Sequence, residues 1–101
     1  MEGYTARDAL ILMRLDLTES LHEINAEIAE LNDTLEFSGI AAQLLQDDAS
    51  IRSFPAIERW LEIVGNRTEL QKDLRELEDE RDDLVSALEH LEERLTGKRI
   101  T

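Results

Sequence analysis

The stretch Thr68–Leu95, TELQKDLRELEDERDDLVSALEHLEERL, decides the fold. Leu70, Leu74, Leu77, Leu84, Leu88, Leu91 and Leu95 recur in it at helical steps, with Arg81 filling the one gap. That spacing draws an apolar stripe down one side of an α-helix and leaves no alternation of the kind a strand needs. The same stretch holds eleven carboxylates against four basic groups. Glu69/Asp73, Glu76/Glu80, Glu78/Asp82 and Asp79/Asp83 are like-charge pairs one turn apart, each costing about 0.2–0.5 kcal/mol. Lys72/Glu76 and Arg75/Asp79 offset only part of that cost. The leucine stripe therefore makes this segment a helix against the preference of its charges.

Working outward, the stripe extends back through Arg67, Ile63 and Trp60 without a change of phase across Gly65-Asn66. The spacing predicts one continuous helix over about 55–96, with a weak point at Gly65, where glycine costs about 1 kcal/mol relative to alanine. The rival reading stops the helix at Gly65 and restarts it at a capping box of Thr68 and Gln71. Pro55 suits a first turn and Gly97 a helix end. Lys98-Arg99 then forms a short basic tail.

Nearer the N-terminus a second heptad pattern appears. Leu10, Leu17, Ile24 and Leu31 occupy d positions, and Arg14, Leu21, Ile28 and Leu35 occupy a. Thr5-Ala6-Arg7-Asp8 reads as the start, with Thr5 capping a free N–H and Asp8 in the first turn near the positive end of the dipole. This predicts a long helix over about 6–36. Phe37-Ser38-Gly39 breaks the pattern, and a short helix over about 39–47 follows, capped by Ser38, with Ile40, Leu44 and Leu45 on one face. Phe37 and Phe54 read as lids over the connection.

Pairing follows from the flanks of the two seams. Two copies of the second helix in parallel would set Asp73 against Glu78, whereas the first helix is nearly uncharged there, with Ser20, Glu27 and Thr34 at g and Thr18, Asn25 and Asn32 at e. The fold class expected is all-α: an antiparallel, coiled-coil-like helical hairpin with a short third helix in the connection, forming one domain over 1–101. At the open end Leu10, Ile11, Leu12, Met13, Leu15 and Leu17 make the first helix apolar nearly all round. One seam cannot cover that surface, so these six residues are expected to drive self-association, most simply as a two-fold dimer forming a helical bundle. Arg14 and Arg81 sit on seam positions, where each must reach a carboxylate or the rim.

Composition narrows the function classes. The net charge is −13, from 11 basic and 24 acidic residues, which opposes direct binding to nucleic acid or anionic membrane and favours a basic protein partner. Cysteine is absent, which removes disulfides and thiolate chemistry. The longest apolar run, Ala9–Met13, falls far short of the ~20 residues of a membrane span and is short for a secretory signal, so a cytoplasmic location is expected and the Asn66-Arg67-Thr68 sequon is taken as chance.

No constellation that would hold a substrate is present, and no cofactor is expected. Glu19 and His22 have the Glu-x-x-His spacing of di-iron bundles, but it occurs once and on the outward f and b positions. His90, at c, also reads as surface. The chain is expected to be a non-enzymatic interaction or scaffolding module. Asp73, Glu76, Glu80 and Asp83 are the candidate acidic face, and Trp60, the only tryptophan, is either core or a partner anchor. Three explanations compete for the acidity: a solvated helix face, adaptation to salt, or a surface made for a basic groove. In the sharpest form of the last, a small acidic inhibitor of the kind phages carry sets carboxylates where a nucleic acid would set phosphates. Heptads and acidic faces are too common to point to a family.

Overall fold

The structure, a computed structural model, describes residues 3–97. Among these the chain is all-α: α1 spans Ala6–Asp47, α2 spans Glu58–Gly65 and α3 spans Arg67–Thr96, with two 3-10 turns, Ala49–Ser53 and Pro55–Ile57, between α1 and α2. No strand occurs among the described residues. Lys98 and Arg99 lie outside them. The chain divides into two compact units, Met1–Ala26 with Leu77–Thr101, and Glu27–Glu76. Both α1 and α3 contribute to each.

The start of α1 follows the sequence closely. The Thr5 Oγ1 accepts the Asp8 N–H at 3.2 Å, while the Asp8 carboxylate accepts the Thr5 N–H at 2.9 Å and the Thr5 hydroxyl at 3.0 Å. This is a reciprocal capping box with Asp in the third helical position. The Thr5 backbone N–H, then its hydroxyl, hold the Asp8 carboxyl below its usual pKa. A depressed carboxyl stabilises the fold above its unfolded value and loses that effect as pH falls through the folded one. We expect Thr5→Ala to move the Asp8 midpoint upward only part of the way, because the backbone donor remains. An NMR titration of the Asp8 carboxyl checks this, and an unmoved midpoint would refute the capping role.

In the first unit, the N-terminal part of α1 lies beside the C-terminal part of α3. Arg7 Nη1 donates to the Leu95 carbonyl at 3.3 Å, and Arg14 Nη1 to Glu92 Oε1 at 2.7 Å. Higher numbers on α1 meet lower numbers on α3, so the two segments run in opposite directions. The seam residues Leu10, Leu17, Leu21, Leu77, Leu84, Leu88 and Leu95 are half-buried there, and Ile24 and Leu91 are buried. Arg14 meets its requirement through Glu92. Arg81 is half-buried and reaches the neighbouring Asp82 at 3.2 Å. Both pairs remain open to water, where an ion pair contributes at most about 1 kcal/mol; they satisfy the cations more than they hold the unit together.

The second unit contains the main departures from the sequence reading. The expected stop at Phe37-Ser38-Gly39 does not occur, and the separate helix over 39–47 is instead the last part of α1. Gly39 has no positive φ, so nothing in its backbone ends the helix. A Cβ there would lie 3.4 Å from Arg67 Nη2, an ordinary van der Waals contact. Ser38, fully buried, donates its hydroxyl to the Leu35 carbonyl at 2.8 Å. The Arg67 side chain lies beside Gly39 at ordinary contact distance, and its Nε is buried without a hydrogen-bond partner. The heptad phase runs on through Ser38, half-buried Ala42 and buried Leu45. Phe37 is consequently an exposed residue within a helix, not a loop lid.

The short third helix is α2, beyond the connection. Asp48 caps the first 3-10 turn by accepting the Ser50 N–H, and Pro55 opens the second, which runs directly into α2. Phe54 precedes it and is exposed. The expected continuous helix over 55–96 is interrupted for one residue. Asn66, at φ −98° and ψ 12°, shares its N–H between the Glu62 and Ile63 carbonyls, and its own carbonyl accepts the Leu70 N–H at 3.0 Å. The break costs so little backbone bonding that the helical phase survives it, and no capping box forms at Thr68. Gly65 closes α2 with no positive φ and open space where a Cβ would stand. We expect Gly65→Ala to raise stability by about 0.5–1 kcal/mol, read from the denaturant midpoint. A loss of stability would mean that the break at Asn66 needs the glycine. At the far end Gly97, at φ 72°, closes α3, with its N–H on the Glu93 carbonyl at 2.9 Å.

Candidate interaction surfaces

Four hydrophobic side chains are buried among the described residues: Ile24, Ile28, Leu45 and Leu91. Many more large ones are exposed, and apart from Phe54 and Val85 they gather in two places, one in each unit.

The first patch lies on α1 near its start. Of the six residues expected to carry self-contact, Leu10 and Leu17 are half-buried, as their seam positions require. Ile11, Leu12, Met13 and Leu15 remain 39%, 61%, 51% and 56% exposed. The helix therefore divides the run, turning one stripe toward α3 and leaving the other in water. Tyr4, which the sequence reading passed over, joins Ile11 and Leu12 around a shallow hollow of about 270 Å³ with Asp8 at its edge. Its signal was faint, a lone aromatic just ahead of the cap.

The second patch lies on α1 between Phe37 and Leu45 and was not foreseen as a unit. Ile40 and Leu44 are more than half exposed, while Leu45, expected on their face, is buried. Together with Phe37, Ile51, Ile57 and Trp60 they line a groove of about 300 Å³. Trp60 is 40% exposed and so is not a core residue; its ring forms part of this groove. The missed signal was the spacing of Phe37, Ile40 and Leu44, which is helical only if the helix continues through Gly39.

The carboxylates Asp73, Glu76, Glu80 and Asp83 all lie on α3 and all are exposed. Asp73 and Glu76 belong to the second unit, Glu80 and Asp83 to the first. Lys72 and Arg75 stand within a turn of several of these groups, yet among the described residues neither forms an ion pair, and none of the four carboxylates does. Glu19 and His22 are exposed, as is His90. Among the described residues no group of three or more His, Cys, Asp or Glu is placed to hold a metal ion, and no helix is long and apolar enough to cross a membrane.

Among the described residues the chain is all-α, with apolar and acidic side chains left exposed. No protein-family model matches the chain, and no match is found among curated proteins or solved structures.

Proposed function

We infer that this chain is a non-enzymatic interaction or scaffolding module. It folds as an antiparallel helical hairpin with a coiled-coil-like seam and pairs with its own copy through the start of α1. The observation that carries this reading is the exposure of Ile11, Leu12, Met13 and Leu15 beside seam residues that are engaged. A contiguous apolar patch on a chain with so few buried side chains marks a surface meant to be covered. A two-fold axis across the patch would set Ile11, Leu12 and Leu15 of each copy against one another, with Met13 at its edge, and complete a four-helix bundle. Within residues 6–17, Arg7 and Arg14 balance Asp8 and Asp16, so the patch itself carries no net charge, while the net charge of −13 opposes the approach of a second copy at low salt.

The test is the mass in solution by light scattering, at low and at high salt. Twice the 11.6 kDa chain mass at both is the expected result. A monomer at both would end the self-pairing reading. A dimer only at high salt would mean that the net charge of −13, screened by salt, governs assembly.

The unpaired carboxylates of α3 favour a second reading. Asp73, Glu76, Glu80 and Asp83 offer an acidic surface to a basic protein, and in its strongest form the module is an inhibitor occupying a nucleic-acid-binding groove. Repulsion that the helix does not relieve internally is relieved by such a partner. Reversing Asp73 and Glu80 to lysine should abolish binding to a basic nucleic-acid-binding protein while leaving the mass in solution unchanged. Binding that survives the reversal would remove this reading.

A further inference from the structure

The second unit carries an apolar surface that the heptad seam does not use. On α1, Ser38 and Leu45 are buried and Ala42 half-buried, which continues the seam. Phe37, Ile40 and Leu44 are 59%, 59% and 54% exposed, at spacings of three and four. This part of α1 is therefore apolar on two sides. Ile51, Ile57 and Trp60 give the outer stripe a wall and turn it into a groove. The only side-chain polar atom on those six residues is the indole nitrogen of Trp60. Sites for small polar ligands need several placed polar groups, and this lining lacks them. A stripe with helical spacing beside a wall is instead a surface that accepts the ridge of another helix.

Charge selects the kind of helix. Within one turn of the lining residues, segment 33–48 carries Asp33, Glu36, Asp47 and Asp48 and no basic residue. On the other wall Glu58 and Glu62 stand against Arg52 and Arg59. All eight are exposed. The last turn of α1 contains no basic residue, so the negative end of its dipole coincides with Asp47 and Asp48, beside Leu44 and Leu45. A second copy of a chain with net charge −13 would bring the wrong sign to this rim.

We propose that the groove lined by Phe37, Ile40, Leu44 and Trp60 binds an amphipathic α-helix of a different protein, one with an apolar i, i+3, i+4, i+7 face and Lys or Arg along its flanks. The proposal rests on the reading of the chain as an interaction module, but uses residues of the other unit from those assigned to self-pairing.

The experiment selects binders for the full chain from a displayed library of helical peptides. Apolar residues are held at the four face positions, and every other position is randomised. Enriched peptides should be rich in Lys and Arg outside the face. Their binding, followed by the emission of Trp60, the only tryptophan, should weaken at least about tenfold in Leu44→Asp. It should weaken by a similar factor in the doubly reversed Glu36→Lys, Asp47→Lys, whose apolar lining is untouched. All three positions are exposed, so circular dichroism should show unchanged helix content. Failure to enrich any peptide on the wild type over Leu44→Asp would overturn the proposal, as would enriched peptides without basic excess. A fall in solution mass on Leu44→Asp would also overturn it, because the groove would then hold a second copy. A wild type that is monomeric yet selects basic helices would leave this groove standing and remove the self-pairing reading, so the two fail separately.

Discussion

Leu91→Ala should destabilise the protein by about 3 kcal/mol, within the range of roughly 2–5 kcal/mol seen when a buried leucine loses its side chain. Leu91 is the one buried residue of α3 among those described, at 6% exposure, on a helix whose other faces are crowded with carboxylates. The other seam leucines of α3 are only half-buried, so no neighbour is placed to take over the lost contact. The repulsion along α3 acts in the same direction: a helix with five like-charge pairs one turn apart, Glu89/Glu93 included, depends on tertiary packing to stay folded. Small domains have only about 5–15 kcal/mol in total, so the variant should show a large shift in its urea midpoint by circular dichroism. Val85, 38% exposed on the same helix, is the control, and Val85→Ala should change stability by less than about 0.5 kcal/mol. Melts at several protein concentrations separate folding from assembly, because a dimer gains stability with concentration. Equal effects of the two substitutions would mean that the first unit is not packed around Leu91.

The double variant Leu12→Glu, Leu15→Glu should be monomeric under conditions where the wild type is a dimer. Burying a leucine side chain is worth about 1.5–3 kcal/mol, and two-fold symmetry removes four such side chains from the interface at once. Because each is a little more than half exposed beforehand, the summed loss is about 3.5–7 kcal/mol, which weakens association by at least about two orders of magnitude. Two new carboxylates per chain add repulsion to a molecule already at −13. Both positions are more than half exposed in the single chain, so helix content should be retained. Leu10→Glu should behave differently. Leu10 is half-buried on the seam, and a carboxylate there would lower the stability of the chain itself along with any assembly. Met13→Glu should act in the same direction as the double variant, with a smaller effect. An unchanged solution mass in Leu12→Glu, Leu15→Glu would show that this patch is not the self-contact, and would leave four exposed apolar residues in search of another partner.

The arginines on the seam illustrate how far charge can be reasoned from position. Arg14 had to find a carboxylate or the rim, and it finds Glu92 at 2.7 Å. Arg81 had the same requirement and meets it with the adjacent Asp82, so only one of the two ties α1 to α3. Arg67 did not stand out as special, yet it is the arginine whose Nε is buried without a partner. The difference is in what faces each residue across the seam, which spacing along one helix does not contain.

The sequence by itself determined that the chain is helical, which stripe of each helix is withdrawn from water, and where α1 begins and α3 ends. Those features depend on interactions within a few turns: the seam on leucine spacing, the start on the Thr5–Asp8 box, the end on Gly97. It also determined which residues could supply surface contacts, since six apolar side chains within about two turns cannot all face a single seam. Only the tertiary structure decided that α1 continues through Ser38-Gly39. A glycine ends a helix when its φ turns positive; Gly39 keeps a helical φ, and the Arg67 side chain, distant in sequence, packs beside it. That one decision moved Phe37, Ile40 and Leu44 onto a common helical face. Trp60, which spacing left as core or partner anchor, lies in the lining of a groove with them, because a residue's neighbours across a fold are set by packing between segments and not by its own spacing.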